Sequence, residues 1–215
     1  MKKAFLILMS LAAISASAKD CGQINLPNNF KIVEKVFTFT SGLQIKTTDD
    51  KDLGRLNTKF FSFKDTYVLR DSSGAEVAKA KQRILAWGLY LDIEDCNGTH
   101  IGSVKLQNIL SNALSADSYA VYTIYDANRK EQAQSERVSI ASTKFSFYSL
   151  NGQKLELATL SRSFLGGILN DHWKVEVHDQ SAIDSKVILF MAAFKTYYDN
   201  LEEQRSYEQR KQSSK

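Results

Sequence analysis

Residues 187–194 constrain the fold of this chain more than any other segment. They read Val-Ile-Leu-Phe-Met-Ala-Ala-Phe, so a helix formed by them is apolar on every face. Such a helix must be enclosed by the rest of the protein. A buried central strand is the alternative for so short a run, but the Met and Ala residues favour a helix. We predict a core helix over about residues 183–200, with Asp184 or Ser185 as its N-cap.

The middle of the chain is typical of β-hairpins. Runs of apolar, aromatic and β-branched residues are separated by polar turns at residues 71–74, 95–98, 126–129 and 149–152. Apolar residues alternate with mostly polar ones in several runs, which indicates strands with one buried face. Examples are Leu89, Leu91 and Ile93, then Phe145 and Phe147, then Trp173, Val175 and Val177. The pattern predicts an antiparallel meander that closes around the core helix.

The N-terminal residues predict export. Lys2 and Lys3 precede a short apolar stretch that ends in Ala-Ser-Ala at residues 16–18, which is the order of a cleavable secretory signal. The stretch is too short to be a permanent anchor, because a membrane span needs about 20 apolar residues. We therefore expect residues 1–18 to be a signal peptide and the protein to be periplasmic or secreted.

The remaining chain has the size of one domain. We expect residues 19–201 to fold as a unit, and residues 202–215 to form a charged tail in which the helix frays. Without the two leader lysines, the chain has 26 basic and 24 acidic residues. This near balance does not support a nucleic-acid binder, which would show a strongly basic domain or stripe.

Cys21 and Cys96 are the two cysteines of the chain. Disulfides persist in an exported protein, and two cysteines allow one intramolecular pairing; two free thiols are the alternative. Lipidation of Cys21 is not expected, because Lys19 and Asp20 separate it from the small residues of the leader.

No motif in the sequence predicts an active site, a metal centre or a cofactor. The chain has no Gly-x-Ser-x-Gly motif and no Gly-rich phosphate loop. His172 and His178 lie on one strand face with Glu176, but six residues of strand place the two imidazoles about 20 Å apart, too far to share an ion. We expect a protein that is not an enzyme.

The hairpins and the helix together resemble the tubby C-terminal-like superfamily, which includes the LURP-one-related proteins and the phospholipid scramblases. The resemblance rests on residues 67–78 and 89–102, on residues 122–126 and 145–155, and on the helix from Asp184. It implies a closed antiparallel β-barrel of about twelve strands around a central hydrophobic C-terminal helix. It also implies binding of phosphoinositide or phospholipid. The palmitoylation-type cysteines and Asp-rich calcium segment of the scramblases are missing, so calcium-driven scrambling is not expected.

Lys79, Lys81 and Arg83 are the candidate binding residues. On a strand all three point the same way, with about 7 Å between successive members. Arg forms paired hydrogen bonds with phosphate and Lys acts as a point charge. Some tubby-like domains bind phosphoinositide through a basic alternation that Lys81-x-Arg83 resembles. The alternative is a solvated strand face that discourages edge aggregation.

Two functional hypotheses follow. The first is an exported, non-enzymatic barrel that binds anionic phospholipid head groups or a membrane surface through these three residues. The second is a protein-interaction or structural module of the cell envelope, which recognises a partner through its loops or through residues 202–215. A carrier of apolar ligands conflicts with a helix that fills the lumen.

Overall fold

The computed structural model describes residues 20–34, 42–59, 66–85, 88–107, 119–139, 142–162 and 172–213. The predicted signal peptide, residues 1–18, lies outside the described residues. The described residues form β1 (Asn29–Glu34), β2 (Gly42–Thr47), β3 (Asp52–Lys59), β4 (Thr66–Asp71), β5 (Glu76–Leu85), β6 (Gly88–Asp95), β7 (His100–Gln107), β8 (Tyr119–Tyr125), β9 (Glu131–Ser135), β10 (Val138–Ser139), β11 (Lys144–Ser149), β12 (Glu156–Arg162), β13 (His172–Val177) and α1 (Ser185–Ser213).

Twelve of these strands form a closed antiparallel barrel. Sequence neighbours pair from β1 to β8, and the ring continues through β9, β11, β12 and β13. The pairing of β8 with β9 makes the ring continuous, and the pairing of β13 with β1 closes it. The two-residue strand β10 also pairs with β8 and continues the line of β9 beside it. The predicted closed barrel of about twelve strands is confirmed.

The lumen of the barrel is filled by the first half of α1. Residues 187–194 are each no more than 2% exposed, and the inward side chains of the strands pack around them. Gly102 of β7 faces Val187 so closely that a Cβ on the glycine would lie 2.8 Å from the valine Cγ2 atom. Asp184 is the N-cap, since its Oδ1 atom accepts the Lys186 N–H at 2.8 Å. The predicted core helix is confirmed.

α1 extends further than the sequence pattern predicts. It continues to Ser213, so residues 202–213, which were expected to fray as a tail, are helical. This segment consists mostly of Glu, Gln, Arg and Lys, without Gly or Pro, and therefore has a high helix propensity. The apolar period covers the buried part of the helix, in which Asp199 is the last side chain described as buried, and it does not mark where the helix ends.

Three hairpins are closed by the same five-residue turn, which begins at Asp71, Asp95 and Asp126. Each Asp Oδ1 atom accepts the backbone N–H groups two and four residues later, at 2.8–3.0 Å. The fourth residue of the turn has a left-handed backbone, with φ of 92° at Gly74, 88° at Gly98 and 63° at Arg129. Glycine adopts this conformation freely, whereas a residue with a Cβ does so at a cost.

The chain before β1 crosses the end of the barrel at which α1 begins. Cys21 forms a disulfide with Cys96 in the β6–β7 turn, with 5.6 Å between the Cα atoms. Gly22 approaches the backbone so closely that a Cβ would lie 2.7 Å from a carbonyl oxygen, so glycine is required there. Further along, the Leu26 carbonyl accepts a 3.1 Å hydrogen bond from Gln180 Nε2 in the turn before α1. The segment is thus fixed at both ends.

The enclosed position of Phe190 predicts a large loss of stability on truncation. Phe190 is fully buried inside the barrel, so Phe190→Ala is expected to lower the free energy of unfolding by about 3–5 kcal/mol. Urea denaturation measures this value. Gln212→Ala, at an exposed position of the same helix, is the matched control and should change it by less than about 0.5 kcal/mol. Equal, small effects of the two substitutions would contradict the enclosed helix.

The disulfide predicts a second loss of stability. The bridge joins residues 75 positions apart, and the chain-entropy model gives a loop of that length a stabilisation of about 4 kcal/mol. The free energy of unfolding of the Cys21→Ser/Cys96→Ser variant, measured by urea denaturation, is expected to be lower than that of the oxidised protein by up to about 4 kcal/mol. Addition of a reductant should lower the unfolding midpoint of the parent protein and leave that of the variant unchanged. An unfolding midpoint of the parent protein that does not change when reductant is added would contradict the disulfide.

Candidate functional site on the outer wall of the barrel

The predicted basic residues of β5 lie on the outside of the barrel. Their neighbours Ala78, Ala80 and Gln82 are buried, so Lys79, Lys81 and Arg83 point outward. We call these three outward residues the basic ladder. The sequence therefore predicted their common direction correctly, since alternate residues of a strand share a face.

The basic ladder is largely neutralised by the next strand. Glu94 Oε2 of β6 lies 3.4 Å from Lys79 Nζ and 3.3 Å from Lys81 Nζ, and Asp92 pairs with Arg83. Burial raises the pKa of Glu94, but the hydrogen bonds and charges of Lys81 and Lys79 outweigh it and hold the pKa below its ordinary value. Two carboxylates thus face three cations, and little net charge remains for an anionic partner.

A second basic feature crosses the opposite part of the wall. Lys31 of β1 is the direct cross-strand neighbour of Lys46 on β2 and of Lys174 on β13. Buried residues flank Lys31 and Lys174 on both sides, and Lys46 follows the buried Ile45, so the three side chains point outward. We call Lys46, Lys31 and Lys174 the lysine row. Ser161 follows Lys174 on β12, and Lys144 follows Ser161 on β11, so the line of outward polar residues continues with another lysine.

The lysine row has fewer ion pairs than the basic ladder, although Asp52 of β3 is the cross-strand neighbour of Lys46. Lys31 Nζ lies 3.3 Å from Asp50 Oδ1, whose carboxylate side chain is 69% exposed. Cβ atoms of direct cross-strand neighbours are about 4.5–5.5 Å apart, and like charges at that separation destabilise a sheet. Sequence reasoning missed this row because its members are far apart in the chain. Each lysine does follow the outward alternation of its own strand, but only the barrel register shows that they are neighbours.

Inside the barrel, Asp199 of α1 holds two cations. Arg162 Nη2 of β12 lies 3.1 Å from Asp199 Oδ2, and Lys195 donates to Asp199 Oδ1; all three side chains are at most 8% exposed. Burial lowers the pKa of Lys195, and the Asp199 carboxylate opposes this shift. The Arg162 guanidinium also lies 4.9 Å from the centre of the Trp173 ring. These buried contacts tie the helix to the wall and are not accessible to a macromolecular partner.

A cleft of about 440 Å³ lies at the mouth where α1 begins, between the chain before β1, the ends of β7 and β8 and the first turn of the helix. Its polar groups bind each other. Gln180 Nε2 donates to Ser185 Oγ at 3.3 Å, and Lys186 Nζ lies 3.0 Å from Asp184 Oδ2. These contacts position the start of the helix.

Nothing in the described ranges gathers a metal site. His178 Nε2 lies 3.1 Å from Thr159 Oγ1 and 3.7 Å from Glu156 Oε1, while His172 is at the far end of β13. Within the same ranges, no group of three His, Cys, Asp or Glu side chains is arranged to hold an ion. Nor does the described helical sequence have the length and apolarity needed to cross a bilayer.

The chain is similar to known barrel proteins. A model of the LURP-one-related family matches residues 28–194. The X-ray structure of a protein from Arabidopsis thaliana is similar with a TM-score of 0.50 and 14% sequence identity, over 83% of this chain and 94% of that chain. At this identity the likeness concerns the fold. No curated protein matches the chain significantly.

The lysine row and the basic ladder predict stability changes of opposite sign. Lys174→Gln removes one of three adjacent positive charges, so it is expected to raise the free energy of unfolding by a few tenths of a kcal/mol. Lys79→Gln removes a partner of Glu94 and is expected to lower it by about 0.2–1 kcal/mol. Urea denaturation at low salt measures both, and both effects should shrink as salt is added. Destabilisation of equal size in the two variants would contradict the difference in compensation.

Proposed function

The chain belongs to the LURP-one-related family, and from this premise we propose that its barrel is a non-enzymatic module that binds the anionic phospholipid head groups of a membrane surface. The proposal combines the family's fold with the distribution of charge on the outer wall. It does not include lipid scrambling.

The filled lumen directs recognition to the outside of the barrel. A helix whose residues 187–194 are fully enclosed leaves no room for an apolar ligand among them. Among the described residues, the groups that remain for a partner are the outward side chains of the strands, the turns at the barrel ends and the exposed end of α1. A membrane surface is extended, so several of these outward groups can contact it at the same time.

The lysine row is the observation that carries the proposal. Lys46, Lys31 and Lys174 present adjacent ammonium groups on three paired strands, at strand spacings of about 4.8 Å. Each ammonium carries three donors and favours phosphate as a point charge. Anionic head groups would relieve the repulsion between these lysines, so the binding of phosphate offsets a cost that the fold otherwise carries.

The basic ladder is the weaker contact in this proposal. Lys79, Lys81 and Arg83 would have to exchange Glu94 and Asp92 for lipid phosphate, or share them. Such an exchange gains little, because one set of ion pairs replaces another.

We also propose that the protein acts outside the cytoplasm. The leader of residues 1–18 has the features of a secretory signal. The bridge between Cys21 and Cys96 supports this location, since disulfides form and persist mainly in oxidising compartments.

A protein-interaction role in the cell envelope is the second candidate. It is favoured by the length of α1, which continues to Ser213 beyond the buried residues and carries exposed polar side chains such as Glu208 and Gln212. Deletion of residues 202–213 would remove a partner bound there but should leave lipid binding unchanged.

Vesicle co-sedimentation tests the lipid proposal. At low salt the purified chain is expected to bind vesicles of phosphatidylcholine mixed with phosphatidylglycerol, and not pure phosphatidylcholine. A variant with Lys31, Lys46 and Lys174 changed to Ala should bind at least about tenfold more weakly, because each basic residue near an anionic surface contributes about 1 kcal/mol.

The matched control is the variant with Lys79, Lys81 and Arg83 changed to Ala. It removes the same number of positive charges, so a general effect of net charge would weaken both variants equally. A smaller loss than in the lysine-row variant is expected. Absence of binding by the parent protein would reject lipid binding, and equal losses would reject the lysine row as the principal contact.

A further inference from the structure

The β11–β12 loop exposes two leucine side chains, and basic side chains lie beside them in this loop and in the neighbouring β8–β9 turn. Leu150 and Leu155, at either end of the β11–β12 loop, are 44% and 51% exposed, and they are the most exposed large apolar side chains of the described residues. Lys154 lies between them in the loop and is exposed, as are Arg129 and Lys130 in the β8–β9 turn. We call these five residues the leucine tip.

The two turns of the leucine tip are held together by the barrel. Ser149 pairs with Ala133 of β9, and the Leu150 N–H donates to the Gln132 carbonyl at 3.1 Å. The β11–β12 loop is also closed on itself, since the Leu155 N–H donates to Ser149 Oγ at 3.0 Å. The exposed leucines are therefore presented on a preformed loop, and little conformational entropy is lost when a partner binds.

Two of the three cations of the leucine tip occupy backbone positions that do not favour a residue with a Cβ. Arg129 has φ of 63° and Lys154 has φ of 45°, both in the left-handed region. Gly74 and Gly98 fill the position of Arg129 in the two equivalent turns. A side chain there costs roughly 1–2 kcal/mol, and such strain concentrates at functional sites.

Three carboxylates lie in or beside the same turns, and each accepts hydrogen bonds from the fold. Asp126 accepts the hydrogen bonds that close its own turn, and Glu131 Oε1 accepts the Tyr125 hydroxyl at 2.9 Å. Glu156 accepts hydroxyl groups of β11 and β12, including Ser146 Oγ at 2.7 Å. These carboxylates keep their charge, so the leucine tip has cations and carboxylates beside two exposed leucines. Apolar side chains next to cations are the combination that anchors proteins at the interface of anionic membranes.

We propose that the leucine tip inserts into the interface of an anionic membrane, with Leu150 and Leu155 among the acyl chains and Arg129, Lys130 and Lys154 at the phosphates. This inference rests on the proposed lipid-binding function and adds the element that enters the bilayer. The lysine row lies on β13, β1 and β2, and the strands of the tip adjoin them in the ring through β12. The row supplies attraction that salt screens, whereas the leucines supply attraction that salt does not screen.

Salt dependence separates the two contributions. In the Leu150→Ser/Leu155→Ser variant, binding to vesicles of phosphatidylcholine with phosphatidylglycerol is expected to be about tenfold weaker at high salt, from the apolar area left in water. The variant of the lysine row should instead lose most at low salt. Tyr119→Ser is the matched control, because Tyr119 is 37% exposed at the far end of β8 and should not enter the bilayer.

A fluorescent label measures insertion directly. Cys21 and Cys96 are bonded to each other, so Leu155→Cys provides a thiol for an environment-sensitive fluorophore. Its emission should shift to the blue with anionic vesicles, whereas a label at Ser72→Cys, in the β4–β5 turn, should not shift. Both labelled proteins must retain the parent's circular dichroism spectrum.

The outcomes distinguish this inference from the proposed function. If the parent protein binds no vesicles, the lipid function and the leucine tip both fail. If the parent binds and the lysine-row variant binds more weakly, but the leucine variant matches the parent and the Leu155→Cys label stays in water, the function stands and the leucine tip is rejected. Equal losses for the leucine variant and Tyr119→Ser would also reject it.

Discussion

The burial of an apolar helix within a ring of strands is the constraint from which the rest of the structure follows. A helix that is apolar on all faces needs contact on all faces, and an open sheet covers only one of them. The ring closes where β1 meets β13, so strands from the two ends of the chain become neighbours. The helix must enter through one mouth, and there the chain before β1 crosses the opening and is bonded through Cys21.

Because the interior is occupied, the chemistry of the outer wall is decided by register. Outward lysines occur on β5 and on β1, β2 and β13, but their environments differ. On β5 the neighbouring strand supplies Glu94 and Asp92, and the charges cancel locally. On β1 the neighbours of Lys31 on both sides are lysines. The same residue type therefore contributes ordinary ion pairs on β5, whereas on β1 a single ion pair with Asp50 only partly offsets the repulsion between adjacent lysines.

The sequence predicts what depends on local pattern. The enclosed helix followed from residues 187–194, the turns from their Asp and Gly residues, and the outward direction of Lys79, Lys81 and Arg83 from alternation along one strand. It could not predict that Glu94 faces the lysines of β5, because this depends on the pairing register. Nor could it place Lys31 beside Lys174, which are distant in the chain and meet only when the barrel closes. The C-terminal end of α1 was not predicted, because its polar residues show no apolar periodicity.

The three equivalent turns separate what the fold requires from what it merely tolerates. The turns at Asp71, Asp95 and Asp126 share their hydrogen bonds, so closing a hairpin needs only the carboxylate and a left-handed fourth residue. Glycine meets that second need at the first two turns without strain. An arginine in the third adds nothing to the closure of the hairpin and costs backbone energy, as does Lys154 in the loop beside it. Lys154 also lies 5.2 Å from the centre of the Tyr148 ring, whereas the proposed membrane contact would give both strained cations a role beside the two exposed leucines.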